Sequence, residues 1–200
     1  MPEDMIGAIK IKDGLFIGDE FAAQDLDFIQ MNKVSRVINC SGKQIQNQWE
    51  GLGVVYLTFF WQDVESQVLF DQNDKTTKNI FDFIEVAAKK GESVLVHSIW
   101  GQSRAASALA CYLMRKYRWS LIKTLEFLNS RRPELEIKAT FISQLQEYET
   151  RLNGLGLGAL STNFTEYSFR DANGKRVAGV TVSNELEAEE AILRNTFVNS

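Results

Sequence analysis

The sequence predicts an α/β fold in which a central, mostly parallel sheet is flanked by helices on both faces, with a small C-terminal extension. Short apolar runs of strand type alternate along the chain with longer segments of helical periodicity, and strands that are joined through helices lie parallel in one sheet. The chain has 200 residues, of which 44% are hydrophobic and 24% charged. This is enough for one domain with its own core and a short appendage.

The first half of the chain supplies a hairpin, one helix and two buried strands. Residues 9–17 alternate between apolar and polar around Asp13-Gly14, a strong signal for a two-residue hairpin turn. Residues 21–31 have the apolar spacing of a short amphipathic helix. The two mainly apolar runs at 34–40 and 54–59 are typical of buried strands.

The second half supplies four helices and one strand, and most of these have a recognisable cap or breaker. Gly91 ends the first of these helices, Ser120 can cap the third, and Pro133 prevents the third from continuing. The predicted bounds are about 73–90 for the first helix, 94–96 for the strand, and about 104–117, 121–132 and 140–152 for the remaining helices.

The predicted domain boundaries follow from a change of composition. Residues 1–153 form the predicted domain, and the glycine content of residues 154–163 predicts a flexible linker. Residues 164–200 have the pattern of a hairpin with a turn at Asn173-Gly174, followed by a helix from Asn184 to Phe197. Because fewer than about forty residues bury little core alone, this extension is expected to pack on the domain or to mediate dimerisation.

Charge and cysteine usage exclude several classes of function. The net charge of −4 and the isoelectric point near 5.2 argue against binding to nucleic acid or to an anionic membrane, since both need a cationic surface. Cys40 and Cys111 lie in apolar contexts that predict buried free thiols. With one histidine and no cysteines at ligand spacing, no metal and no cofactor are expected. No signal peptide or membrane span is evident, so the expected location is the cytoplasm, with the nucleus as the alternative.

The stretch from Val94 to Arg104, V-L-V-H-S-I-W-G-Q-S-R, is the candidate functional segment. A strand here gives way to a loop and then to the start of a helix, so backbone N–H groups and the positive end of a helix point at one place. Arg104 adds a planar guanidinium that can hold two phosphate oxygens at once. The predicted ligand is therefore a phosphate, for which sulfate or vanadate can substitute.

The spacing of His97, Ser98 and Arg104 resembles H-C-x5-R, the signature of the cysteine-based protein tyrosine phosphatases. Its G-x-S-R ending is similar to that of the dual-specificity phosphatase family, and the resemblance covers about residues 6 to 153. It implies a phosphatase that removes phosphate from phosphotyrosine and phosphoserine/threonine through a phospho-cysteine intermediate. Ser98 stands at the position of the nucleophilic cysteine, so this chain is expected to bind a phosphorylated protein and not to hydrolyse it.

The resemblance also implies a general acid and a histidine beside the nucleophile position. Tyr56-Leu57 and Asp63 match the pattern of the strand and the acid that protonates the leaving oxygen. Glu65 is the alternative candidate, and Asp63 is then only one of several loop acids. His97 matches the residue that orients the loop and helps to keep the neighbouring thiol ionised; its alternative is a buried histidine bonded to backbone.

The remaining loop residues are expected to surround the phosphate. Ser103 has two compatible roles, which are capping the following helix and, by resemblance, assisting breakdown of the phospho-enzyme. Trp100 is either a platform for substrate or an anchor under the loop. The variable positions hold no Lys or Arg, which argues against an inositol-phospholipid substrate. The predicted phosphate-binding residues are Ile99, Trp100, Gly101, Gln102, Ser103 and Arg104.

Two pairs of residues after the loop are open to interpretation. Arg131 and Arg132 either add a basic rim to the cleft or complement the negative end of the preceding helix. Ile137 and Lys138 stand where many family members have proline and asparagine, so the resemblance does not supply here the hydrogen bonds that this asparagine makes beneath the loop.

Three hypotheses follow from the serine. In the first, the chain is a dual-specificity phosphatase in an inactive Cys-to-Ser form, which Asp63 and Ser103 favour because a pure binding module has no use for a general acid. The alternative is a natural pseudophosphatase that acts as a phosphoprotein-binding scaffold. The third, an enzyme acting on another phosphate ester such as a polynucleotide 5′-phosphate, is disfavoured by the acidic net charge.

Overall fold

A computed structural model describes residues 7–12 and 14–161, together with the backbone of 169–170 and 176–177. The strands are β1 (Ile9–Lys12), β2 (Leu15–Gly18), β3 (Val34–Asn39), β4 (Val55–Thr58), β5 (Ser93–His97), β6 (Phe169–Arg170) and β7 (Arg176–Val177). The described residues contain the helices α1 (Glu20–Gln24), α2 (Leu26–Met31), α3 (Lys75–Lys90), α4 (Arg104–Tyr117), α5 (Leu121–Arg131) and α6 (Ala139–Gly154), and a 3₁₀ turn at Glu50–Leu52.

Strands β1 to β5 form one mixed sheet in the order β1-β2-β5-β3-β4. The hairpin of β1 and β2 is antiparallel, and every other neighbouring pair in this sheet is parallel. Strand β5 lies in the middle and is hydrogen-bonded to β2 on one side and to β3 on the other. In open α/β sheets, ligand sites lie at the carboxyl ends of the strands. The loop that follows β5 begins at such an end, in the middle of the sheet.

Helices cover both faces of the sheet, as the sequence predicts. Side chains alternate along a strand, and in β5 Leu95 packs on the side of α1 and α2 with Phe16, Ile29 and Val37. Its neighbours Val94 and Val96 belong to the larger core on the other face, which helices α3 to α6 complete. All three β5 residues are at most 1% exposed. The predicted α/β fold class is therefore confirmed.

One predicted helix is in fact two. The periodicity of residues 21–31 predicts a continuous helix, but α1 ends at Gln24 and α2 begins at Leu26. Asp25 lies between them in an extended conformation, and its carboxylate accepts a hydrogen bond from the N–H of Phe28 at 3.0 Å. An aspartate that caps a new helix in this way competes with continuation of the previous one, which apolar spacing alone does not reveal.

The segment predicted to be a flexible linker is hydrogen-bonded to the domain as far as Ser161. The Arg118 side chain donates to the carbonyls of Gly156 and Gly158 at 2.9 and 2.7 Å, and the N–H of Ser120 donates to the carbonyl of Ser161 at 2.9 Å. Beyond this point β6 and β7 pair antiparallel, and the helix predicted over 184–197 lies outside the described residues. The extension and its boundaries stay predictions.

Two further properties of the described residues bear on function. Cys40 and Cys111 are buried free thiols, as expected, and burial raises the pKa of both well above the ordinary range. Within residues 7–12 and 14–161 no helix has the length and apolarity required to cross a bilayer.

Candidate active site

The candidate site is built where the carboxyl ends of three strands meet. His97, the last residue of β5, lies in register between Gly18 of β2 and Asn39 of β3. The chain then leaves the sheet: the N–H of Ser98 still reaches the carbonyl of Gly18 at 3.4 Å, and the carbonyl of Ile99 accepts from the N–H of Glu20 at 3.0 Å. Two backbone hydrogen bonds therefore join the start of the loop to the end of β2 and the first residue of α1.

The loop closes tightly on Ser98. Its hydroxyl oxygen accepts a hydrogen bond from the N–H of Gly101 at 3.1 Å, and the serine is 2% exposed. Gly101 has a φ of +67°, and a Cβ there would lie 2.5 Å from the carbonyl oxygen of Gly18 and 2.8 Å from Nη1 of Arg132. Only glycine combines that dihedral angle with so close an approach, so Gly101 sets the curvature of the loop.

Arg104, the first residue of α4, is 1% exposed and is held along one edge of its guanidinium. Its Nη1 donates to the side-chain oxygen of Gln44 and to the carbonyl of Trp61, both at 2.9 Å. The buried Nε has no hydrogen-bond partner within the described ranges. A guanidinium fork binds an oxyanion through two parallel N–H groups, and the edge formed by Nε and Nη2 is the one not used by the protein contacts through Nη1.

A cavity of about 360 Å³ lies in front of the loop. It collects side chains from three separate parts of the chain, which are the loop itself, the segment after β4, and the segment that leads into α6. The lining residues are Asp63, Glu65, Ser98, Trp100, Gln102, Ser103, Glu136, Ile137, Lys138 and Ala139. The structure therefore brings most of the residues singled out in the sequence to one cleft, although they are up to 75 positions apart.

Both candidates for the general acid line this cavity, and each has a partner. Asp63 Oδ1 lies 3.6 Å from Nζ of Lys138, and both side chains are about one-third exposed. Glu65 accepts a hydrogen bond from the Thr140 hydroxyl at 2.8 Å, at the start of α6. Lys138, which stands where many members of the resembled family have asparagine, thus faces Asp63 across the cleft.

Ser103 occupies the N-cap position of α4, but its side chain does not cap that helix. Its hydroxyl oxygen accepts instead from the N–H of Lys138 at 3.2 Å, while its carbonyl accepts from Ser107 within the first turn. The prediction that this hydroxyl caps α4 is wrong, because the chain segment before α6 competes successfully for it. Ser103 connects the loop to the residue that contacts Asp63.

His97 is 1% exposed and carries no charge at neutral pH. Burial, with a smaller contribution from the positive charge of Arg104, lowers the pKa of His97 from 6.5 to about 4, although the Asp19 carboxylate acts in the opposite direction. Its Nδ1 has no hydrogen-bond partner among the described residues. A neutral, weakly basic imidazole is poorly suited to take a proton from the Ser98 hydroxyl.

The buried histidine predicts a pH dependence of stability. The pKa of His97 in the folded chain lies below its ordinary 6.5, so between these values the unfolded chain binds a proton that the folded chain does not. The contribution of His97 to the free energy of unfolding is therefore fully present above pH 6.5 and is lost as the pH falls toward 4. The full shift corresponds to about 3 kcal/mol. Denaturant unfolding at pH 7, 5.5 and 4.5 is expected to show that the free energy of unfolding falls more steeply with decreasing pH for the unchanged chain than for His97→Gln. Equal slopes, or an NMR titration of this single histidine near pH 6.5, would contradict this.

Arg132 anchors the loop from behind through the backbone carbonyl of Trp100. Arg132 is 0% exposed and its Nη2 donates to the carbonyl of Trp100 at 2.9 Å, so it cannot form a basic rim. The indole of Trp100 is 44% exposed and lines the cavity, which places the anchor role in Arg132. The neighbouring Arg131 has its guanidinium 5.4 Å from the ring of Phe127.

Two residues of the site escape sequence reasoning. Gln44 contacts Arg104 from the turn after β3, and no motif marks it. Asp19 is completely buried below the loop, where its carboxylate accepts from the N–H groups of Gly7 and Ala22 at 2.7 and 2.9 Å. Its place just before α1 is a recognisable N-cap signal, but nothing in the sequence indicates that its charge acts on His97.

Comparison with known proteins agrees with this geometry. Residues 15–151 match the family model of the dual specificity phosphatase, catalytic domain. The chain belongs to the dual-specificity phosphatase family. A Slingshot protein phosphatase homologue from Xenopus laevis is 34% identical over 135 residues, which are 68% of this chain and 19% of that protein. Dual specificity protein phosphatase 1B from Arabidopsis thaliana is 31% identical over 147 residues, which are 72% of this chain and 83% of that protein.

Solved structures of the family superpose on most of this dual-specificity phosphatase fold. Human DUSP28 aligns with a TM-score of 0.66 and 29% identity, over 74% of this chain and 96% of that one. A human tyrosine phosphatase-like serine/threonine/tyrosine-interacting protein aligns with a TM-score of 0.67 and 24% identity, over 74% of this chain and 98% of that one; this second likeness shows the fold alone. The chain spans only about a fifth of the length of the Xenopus Slingshot relative.

Proposed function

We propose that this member of the dual-specificity phosphatase family binds phosphorylated protein at the Val94–Arg104 loop and, with Ser98 at the nucleophile position, does not hydrolyse it. The observation that carries the proposal is the pairing of Ser98 with Arg104. The buried guanidinium of Arg104 has one edge left for an oxyanion, and the hydroxyl of Ser98, at the other end of the same loop, is tied into the loop by the N–H of Gly101. Such a site holds a phosphate monoester without a group that can attack it.

Three properties of the site support the absence of hydrolysis. A serine hydroxyl needs a base to become a nucleophile, and His97, its neighbour in the chain, has its pKa lowered to about 4 by burial. The thiols of Cys40 and Cys111 are buried, and burial raises their pKa, so neither supplies a thiolate. The chain contains no other cysteine and no other histidine.

A phosphoprotein is the substrate class that fits best. The relatives named above are protein phosphatases, and the variable loop positions carry no cation for a highly anionic inositol phospholipid. Three carboxylates, those of Asp63, Glu65 and Glu136, line the cavity against the single ammonium of Lys138. The proposed ligand therefore carries a single phosphate, on tyrosine, serine or threonine.

Two origins of the serine are compatible with this activity. The retained Asp63 and Ser103 favour a phosphatase in an inactive Cys-to-Ser form, because these residues serve catalysis in the resemblance. One observation favours the alternative, a natural pseudophosphatase used as a phosphoprotein-binding scaffold: Lys138, which stands where many members of the resembled family have asparagine, forms an ion pair with Asp63. The serine-to-cysteine variant described in the Discussion separates the two.

Calorimetric titration tests the proposal directly. The full chain is titrated with a phosphotyrosine peptide, with the phosphothreonine peptide of the same sequence and with the unphosphorylated peptide, while released phosphate is measured in the same samples. Binding of a phosphorylated form at least about tenfold tighter than the unphosphorylated form is expected, since charge-assisted hydrogen bonds to phosphate are lost without it, and no phosphate should be released. Equal affinity for all three peptides, or steady turnover, would refute the proposal.

A further inference from the structure

We propose that Gln44 is a positioning residue for phosphate binding, which fixes the guanidinium of Arg104 through a neutral acceptor. This inference rests on the proposed function and names a contact that neither the signature nor the family resemblance assigns. Gln44 lies 60 positions before Arg104, and the 2.9 Å hydrogen bond from Nη1 to its Oε1 is one of two that this nitrogen donates to described residues.

The turn that carries Gln44 is itself fixed from below. Asn39, at the end of β3, is completely buried; its side chain accepts from the N–H of Ser41 at 2.9 Å and donates to the carbonyl of Ile45 at 2.8 Å. The carbonyl of Ser41 accepts in turn from the N–H groups of Gln44 and Ile45 at 2.8 and 2.9 Å. The backbone of Gln44 is thus held by buried neighbours, although the residue itself is at the surface.

The second acceptor on Nη1 comes from another strand end. The Trp61 carbonyl follows β4, and the indole of Trp61 is 6% exposed and stacks on Phe59 with ring centroids 4.2 Å apart. Two acceptors from two rigid segments occupy the two hydrogens of Nη1 and so fix the plane and rotation of the guanidinium of Arg104. The Nε and Nη2 hydrogens then point in parallel to one place, as a bidentate phosphate contact requires.

The neutrality of both acceptors matters for an anion site. A carboxylate in the place of the Gln44 amide would also orient Arg104, but it would compensate the positive charge that has to attract the phosphate. An amide oxygen and a peptide carbonyl orient the fork and leave its charge intact. Gln44 therefore contributes geometry to binding, and the attraction comes from Arg104.

Substitution of Gln44 by methionine tests this assignment, because methionine keeps the length of the side chain and lacks the acceptor. The full Ser98 chain is titrated with the phosphotyrosine peptide, followed by NMR so that weak binding is measurable. Gln44→Met is expected to weaken binding about five- to tenfold, the effect of one net hydrogen bond, and to lower the thermal midpoint by only a few degrees, because one donor hydrogen of the buried guanidinium loses its acceptor. Gln46→Met, at an exposed position just after this turn, is the matched control and should bind as the unchanged chain does.

The same substitution in an Arg104→Lys background distinguishes positioning from general support. Lysine has no planar fork to orient, so Gln44→Met should change affinity less than about twofold there, a coupling that independent sites do not show. The inference is overturned if Gln44→Met binds as tightly as the unchanged chain, or if it costs the same factor in both backgrounds. Failure of the unchanged chain to bind the peptide would refute the proposed function instead, so the two outcomes are separate.

Discussion

Replacement of Ser98 by cysteine is expected to give this member of the dual-specificity phosphatase family phosphatase activity. The thiol would stand at the end of β5 with the N–H of Gly101 aimed at it, at the N-terminus of α4 and close to a buried arginine. Each of these stabilises a thiolate. The sulfur would attack phosphorus as the bond to the leaving oxygen breaks, Asp63 would protonate that oxygen, and water would then release phosphate from sulfur.

Hydrolysis of para-nitrophenyl phosphate by Ser98→Cys should exceed that of the unchanged chain by at least about 10³-fold, since loss of the nucleophile costs covalent enzymes more than this. The additional change Asp63→Asn should slow hydrolysis of phosphotyrosine peptides about 10²-fold or more, and should matter less for para-nitrophenyl phosphate, a good leaving group. Ser98→Ala is the matched control and should remain inactive. A folded, phosphate-binding Ser98→Cys without activity would contradict the phosphatase origin and favour the scaffold.

Replacement of Arg104 is expected to remove phosphate binding almost completely. Arg104→Lys keeps a positive charge but loses the fork, and Arg104→Met loses both. Two charge-assisted hydrogen bonds are worth about 3 kcal/mol or more, so Arg104→Met should weaken binding of the phosphopeptide about 10²-fold or more. The affinity of Arg104→Lys should lie between those of the unchanged chain and Arg104→Met, because an ammonium still attracts the phosphate as a point charge. The measurement is the same calorimetric titration as for the unchanged chain.

Stability has to be followed in parallel, because Arg104 is buried and its removal leaves Gln44 and Trp61 without their donor. Arg104→Met retains most of the side-chain volume and limits the cavity that a smaller residue would create. Arg132→Met provides a second comparison, since Arg132 is equally buried and contacts the loop only from behind. If Arg104→Met remained folded and bound the phosphopeptide normally, Arg104 would not be the phosphate ligand.

Much of this fold can be derived from the sequence because its signals are local. These signals act within a few residues: the alternation around Asp13-Gly14, the apolar run of β5, the cap at Ser120 and the helix breaker Pro133. The structure has β1 and β2, β5 and α5 at these places. The failure at residues 21–31 has the opposite cause. Asp25 fits the polar face of an amphipathic pattern whether the segment is one helix or two. Its role as a cap depends on the backbone conformation that it adopts.

The candidate site divides along the same line. The sequence by itself determined the loop from His97 to Arg104, because its residues are adjacent in the chain and its chemistry depends on their identity and spacing. Only the tertiary structure decided which partners orient them: Gln44 on Arg104, Lys138 on Ser103 and Asp63, and Arg132 on the Trp100 carbonyl. These contacts join residues from 32 to 75 positions apart. Packing of helices on a shared sheet creates such proximity, and it leaves no periodic or spaced pattern in the sequence.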